Sequence, residues 1–446
     1  MPKKTIVRKA GKSKNQEKVF TGPTYVSDIL PTEWPWFDRV RTVAEDLASF
    51  YGFRVVKTPA LERADFFSAV YDQDPSFFEH QSVTMKAKGS GQLVLRMDGM
   101  PAALRSYFEH GLGRMLQPQK LFYEGEIYRQ SEILPGKRMV HQYGFEIVGG
   151  SNDPLYDAQI ILVMERLLKS FKIKGFTLSV NSMGCRNCHQ AYKKQLQAYY
   201  RNHEKEVCDS CSADLQKNPL LLVACQKDGC EGLKEKAPSF LDKICSSCSR
   251  NFRAVLEYLD ELEIPYGLDN GVINAWDFYN QILFEFSLET EKGKPLVLAR
   301  GGRHDFLSEI VGGKVTPAVG GSIFAEAIIE AMKIQDVKLP AKNQKGVFIV
   351  HVGELAKKKS LRVVEELRQG GISVTEALGR ESIKSQLKMA ARLGAQLALL
   401  FGQKEVYEES IILRDLRTGL QETVILSKIV SEIQKRLKEK SPVAEG

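Results

Sequence analysis

All eight cysteines of this 446-residue chain fall between Cys185 and Cys248, and no other sequence feature restricts its folding as strongly. They form three C-x-x-C pairs (Cys185/Cys188, Cys208/Cys211, Cys245/Cys248) and one looser pair, Cys225/Cys230. A secreted chain spreads cysteines to staple separate loops, whereas clustered pairs in a large chain point to metal. Each tight pair can place two thiolates on one tetrahedral ion, and two pairs complete a closed structural site. Eight thiolates therefore suit two zinc ions that hold together an insertion, residues 184–250, with little apolar core of its own. His189 and His203 are available as substitutes for a weaker ligand. The alternative is a set of reduced thiols in a helical insertion. Spacing does not say which pairs share an ion.

The whole chain is 43% hydrophobic and 26% charged, and its length predicts two or three folded units. No apolar run reaches the length of a membrane span and no signal-peptide pattern opens the sequence, so a cytoplasmic protein is expected. Residues 1–20 are lysine-rich and poor in large apolar side chains, the composition of a disordered basic tail. The net charge of +8 fits a polyanionic partner and fits simple solubility equally well.

Helical spacing recurs at Phe37, Val40, Val43, Leu47 and Phe50, with Gly52 as a stop. Strands are predicted over 53–56 and 92–96, the second leading through Gly99 and Pro101 into a helix. The β-rich runs 120–129 and 140–148 flank Leu134-Pro135-Gly136-Lys137, which predicts an antiparallel hairpin with a basic loop. A helix over 157–171 and a strand over 177–180 follow. Strand signals return at Val272 and Ile273, over 281–286 and over 295–299, and a helix is expected to begin near Ser322. Strands mostly without βαβ alternation predict an antiparallel α+β core over residues 21–334. After a polar linker (335–345), strands and helices alternate over 346–438, which predicts a compact α/β unit with a largely parallel sheet.

Taken in order, several of these segments resemble histidyl-tRNA synthetases, over about residues 20–436. Asp28-Ile29-Leu30-Pro31, the helix after it and Thr58-Pro59-Ala60-Leu61-Glu62 resemble the first class II motif, which implies a homodimer interface. Leu95-Arg96-Met97-Asp98-Gly99-Met100 is similar to the family's Leu-Arg-Pro-Glu-Gly-Thr. Tyr128-Arg129 with His141-Gln142-Tyr143-Gly144-Phe145-Glu146 resembles the second motif. Trp276-Asp277-Phe278-Tyr279 and Gly301-Gly302-Arg303-His304-Asp305 are similar to the two histidine-binding signatures, and Pro317-Ala318-Val319-Gly320 resembles the start of the third motif. The resemblance implies a class II synthetase core with an antiparallel sheet and flanking helices, and a C-terminal anticodon-binding domain. It also implies ATP with Mg, histidine or another small ligand, and tRNA.

The family reaction joins two anions, an amino-acid carboxylate and the α-phosphate of ATP, so fixed cations must hold the phosphates and receive growing charge. Arginine suits this, being always protonated and able to grip oxygens in pairs. The resemblance assigns Arg129 and Arg138 to catalysis. It assigns Asp98, Gln142, Glu146, Phe278, Tyr279, Arg303 and His304 to substrate binding. Arg129 and Glu146 also suit an inter-strand ion pair. The chain departs from the family at several of these places. Asn274 and Ala327 stand where two of the three arginines belong. Asp98 shortens a glutamate, Met100 replaces a threonine, Phe278 and His304 replace two imidazole-reading tyrosines, and Arg300 replaces a glycine. Three readings follow: a working histidine–tRNA ligase that uses ATP despite unusual substitutions, a non-catalytic paralogue that binds tRNA, a metabolite or a partner enzyme, and a core charging another amino acid. The substitutions lead us to expect impaired histidine activation. In the C-terminal unit Lys384, Lys388, Arg392 and Lys404 suit either tRNA phosphates or a solvated face.

Overall fold

Val40, Val43, Ala44 and Ala48 bury one face of a helix, Trp34–Phe50, which packs on two others, Pro154–Ser170 and Ala325–Ile334. The computed structural model describes residues 20–89, 91–215, 218–223, 225, 228–291, 293–339, 346–376 and 382–439. Nearly all of the expected basic tail and most of the linker, 340–345, lie outside the described residues. The chain divides between Leu339 and Pro340 into two compact units.

The first unit is built on an eight-stranded sheet. Its order is Arg54–Val55, Gln119–Tyr128, Met139–Val148, Ala318–Phe324, Leu296–Arg303, Asn280–Leu288, Thr177–Gly184 and Gly267–Leu268. The two short outer strands pair in parallel and the remaining neighbours antiparallel. Near one edge lies the predicted hairpin, two ten-residue strands with Phe122 opposite Phe145. The helix Pro154–Ser170 starts where Asp153 accepts from Leu155 N at 2.9 Å and Pro154 presets the first turn. It buries Ile160, Ile161, Met164 and Leu167 within the core that covers one face of the sheet. The other face carries a large cavity. A smaller sheet of Leu61–Arg63, Thr84–Ala87 and Gly91–Leu95 leads into the helix Gly99–Glu109 beside it.

Two sequence expectations fail for tertiary reasons. Val272 and Ile273 form no strand; they follow a turn in which Val272 N donates to Asp269 O, and they pack on the core of the insertion. The short strand is instead Gly267–Leu268, paired with Ser179 and Val180. Ser322 does not start a helix, because Ala318–Phe324 pairs with strands on both sides and the helix begins at Ala325.

The insertion is helical, with Arg186–Asn202 and Ser246–Glu261 as its long elements. Contrary to expectation, it has an apolar core of its own that includes Tyr192, Leu196, Tyr200, Leu220, Leu222 and Phe240. The second unit is a five-stranded sheet. Val374–Glu376, Val347–His351 and Leu397–Phe401 run parallel, and Ser410–Asp415 and Gln421–Ile425 add an antiparallel hairpin at one edge. The sheet is therefore mixed. A turn from Asp415 to Gly419 is too short for a crossover, so the last strand reverses direction.

Candidate functional site

Alternation along Met139–Val148 brings Gln142, Gly144 and Glu146 to the same face of the sheet. Above them opens a cavity of about 760 Å³. Its wall on one side is the helix start at Asp98, and on the other the loop from Asn274 to Tyr279.

At one end the polar groups already form a network. Asp98 caps its helix by accepting from Met100 N at 3.1 Å and also accepts from Gln142 Nε2 at 3.1 Å. Gln142 donates to Ser322 Oγ at 3.2 Å and accepts from Gly99 N at 2.8 Å. The Arg129 guanidinium lies 4.0 Å from Asp98 and over the Phe77 ring at 5.8 Å. Arg129 and Glu146 therefore have different partners, and the inter-strand pair between them is not formed. A carboxylate beside a guanidinium and an amide is suited to an ammonium on one side and an anion on the other.

At the floor the chemistry changes. His304 Nε2 lies 3.1 Å from Glu146 Oε2, and both residues are about 1% exposed. The two atoms are out of line for a hydrogen bond, and neither has another hydrogen-bond partner among the described residues. His304 Nδ1 is held by Gly302 O at 3.1 Å. Burial raises the Glu146 pKa, the nearby imidazole pulls it back, and Asp98 pushes it further up. The same burial, together with Glu146 and Asp98, holds the Tyr123 phenol well above its usual range. Around this pair the walls are aromatic. Phe278 stacks on Trp276 at 6.4 Å, Trp276 meets Tyr71 and Phe77 at 4.8 and 5.0 Å, and Tyr279 meets His304 edge-on at 6.0 Å.

Gly320 is what makes room for the floor. A Cβ there would stand 2.0 Å from Glu146 Oε2, in a site where the buried carboxylate cannot swing to water. Gly320→Ala is expected to displace Glu146 from His304 and to cost about 1–3 kcal/mol of stability as overpacking. Thermal unfolding checks this, and an unchanged melting temperature would contradict so tight a fit at the floor.

Asp98, Met100, Arg129, Gln142, Glu146, Asn274, Phe278, Tyr279 and His304 all line the cavity. Arg303 does not. It is fully buried beneath, with Asp157 accepting from Nε at 2.9 Å and from Nη2 at 2.6 Å, and Asp305 lying 3.3 Å from Nη1. Arg138 also lies outside the lining and covers the Tyr25 ring at 4.6 Å. Ala327 is buried in the helix Ala325–Ile334, three residues from the cavity-lining Phe324 and Glu330 on either side. Asn274 turns to its own loop, accepting from Trp276 N at 3.0 Å. Sequence reasoning did not identify Tyr71, Phe77, Tyr123 and Ser322 as lining residues, because nothing local marks an aromatic or serine as facing a cavity.

The cysteines gather into two quartets, Cys185/Cys188/Cys245/Cys248 and Cys208/Cys211/Cys225/Cys230, each with its sulfurs within 4.8 Å of one another. His189 and His203 belong to neither; they face Asp277 at 3.4 Å and Glu206 at 2.9 Å.

Comparison with known proteins finds relatives of both units. The family model described as histidyl-tRNA synthetase matches residues 25–328, and an anticodon binding domain model matches 346–436. A histidine–tRNA ligase of Dehalococcoides mccartyi is 32% identical over 420 residues, covering 94% of this chain and all of the relative. One of Halothermothrix orenii is 32% identical over 415 residues, covering 93% and 98%. The crystal structure of apo S. aureus histidyl-tRNA synthetase superposes with a TM-score of 0.79 at 27% identity, covering 93% of this chain and 100% of that one.

Proposed function

The chain belongs to the histidyl-tRNA synthetase family, and from that premise we propose that it keeps the family's nucleotide- and tRNA-binding scaffold while activation of histidine is impaired. The contact between His304 and Glu146 carries this reading. Glu146 is the buried carboxylate at the cavity floor, where an anion would meet the side chain of a histidine ligand, and an imidazole of the protein already stands against it. Phe278 and Met100 add apolar surface in place of hydroxyls. The cations are depleted as well. Arg129 and Lys294 line the cavity, Asn274 and Ala327 carry no charge, and Glu330 adds a negative charge to the lining from the helix Ala325–Ile334. Arg300, which also lines the cavity, is 60% exposed and paired with Glu285 at 3.0 Å. ATP with Mg is the family's expected nucleotide, held on the Arg129 side. The same depletion favours, as a second reading, a non-catalytic paralogue that binds tRNA, a metabolite or a partner enzyme. Histidine-dependent ATP–pyrophosphate exchange separates the two.

The protein acts as a cytoplasmic homodimer on this reading. Leu30, Trp34, Phe50 and Val55 are exposed apolar side chains within the stretch that resembles the first motif, which supports a partner surface there. The second unit binds tRNA. Lys384, Lys388 and Arg392 are exposed at four-residue spacing on Ile383–Arg392, opposite the buried Gln386 and Ala390, whereas Lys404 has Glu408 3.8 Å away. Replacing the three by alanine is expected to lower the slope of log K against log salt for tRNA by about 2–3, roughly one for each phosphate no longer neutralised. A slope unchanged in filter binding would leave this face merely solvated.

A further inference from the structure

We propose that the two cysteine quartets are two separate four-thiolate zinc centres, and that together they brace the Ala275–Gln281 segment walling the ligand cavity. A zinc ion with four sulfurs at roughly 2.3 Å places neighbouring sulfurs about 3.8 Å apart. The sulfur pairs stand at 3.6 Å (Cys185/Cys188), 4.0 Å (Cys188/Cys248), 4.0 Å (Cys208/Cys225) and 3.8 Å (Cys211/Cys230). Those separations suit a shared cation and are far too long for sulfur–sulfur bonds. The local backbone suits paired ligands too. Cys185, Cys208 and Cys245 each occupy the N-cap position of a helix whose first turn carries the second cysteine of the pair. Backbone N–H groups point at sulfur, from Cys245 to Cys188 at 3.1 Å and from Cys208 to Cys230 at 3.4 Å.

The centres differ in reach. The first clasps the end of a core strand, Gly184, to the helix Ser246–Glu261, so it ties the insertion to the main sheet. The second lies wholly inside the insertion. Both connect to the cavity wall. Gln281, two residues beyond Tyr279, donates to Cys248 Sγ at 3.6 Å. The helix launched from Cys185 carries Lys193 and His189, and both face Asp277. Between Cys211 and Cys225, Asn218 donates to Ala275 O at 2.9 Å. Three ties therefore hold one short segment, and each leads back to a quartet. The brace half of the proposal rests on the cavity being the ligand site; the metal half does not.

The test is metal analysis of the full-length protein as purified, followed by hydrogen–deuterium exchange of residues 272–281. Two zinc equivalents per chain are expected, falling to one in Cys188→Ser and to one in Cys211→Ser. Zero or one equivalent in the unaltered protein overturns the assignment of two centres. Lys193→Ala and Asn218→Ala should keep two equivalents while exchange over 272–281 quickens about five- to tenfold, the equivalent of one hydrogen bond removed. Should exchange there stay unchanged in both, and on chelation, the brace is wrong even if the metals are present. None of these readouts requires histidine or ATP, so they stand apart from the outcome for histidine activation.

Discussion

Purified, zinc-replete protein is expected to catalyse histidine-dependent ATP–pyrophosphate exchange roughly four to six orders of magnitude more slowly than a relative with all three arginines, if the losses act independently. Each missing donor removes about 2.7–4 kcal/mol of transition-state stabilisation, a factor of roughly a hundred to a thousand. Groups in one site often act as a unit, and the combined loss is then smaller than the product. On the impaired reading the neighbouring arginines do not compensate: Arg300 is paired with Glu285 at 3.0 Å, and Arg303 is buried against Asp157. Asn274→Arg combined with His304→Tyr should raise exchange, the first by restoring a cation and the second by freeing Glu146. Arg129→Ala is the control. Exchange comparable to that of a working relative, and abolished in this control, would sink the impaired reading and show that the phosphates are held some other way. No exchange from a folded protein that still binds tRNA would favour the non-catalytic paralogue.

Arg303→Ala is expected to destabilise the first unit severely, costing about 3–5 kcal/mol. The substitution strips the partner from Asp157, which is fully buried, and from Asp305, which is 5% exposed. Two carboxylates left without their cation must protonate or draw in water, and either costs more than the bridge itself contributes. For a unit of this size the melting temperature should fall by on the order of 5 °C. Arg300→Ala, three positions away in the same strand, should stay within about 1 kcal/mol because its pair with Glu285 is exposed. Equal shifts for the two variants would show that burial does not distinguish these arginines.

Much of the fold was legible in the sequence because it depends on short-range periodicity. Turn residues mark the hairpin around Leu134-Pro135-Gly136-Lys137, and apolar spacing marks the first helix. Elements set by distant partners were not legible. Val272 and Ile273 have strand-forming side chains that the insertion core buries instead. Ser322 sits at a strand end where helix signals begin.

Much the same division holds at the site. The sequence by itself determined the order of the motifs, the grouping of cysteines in pairs, and the absence of arginine at 274 and 327, since residue identity needs no fold. Only the tertiary structure decided that Arg303 is a buried strut, because its partner Asp157 is 146 positions away. It also joined Cys188 to Cys248 across 60 positions and set His304 against Glu146. Local chemistry states what a side chain can do. Strand register and the packing of remote elements choose which neighbour it meets, and that neighbour sets its charge, exposure and role.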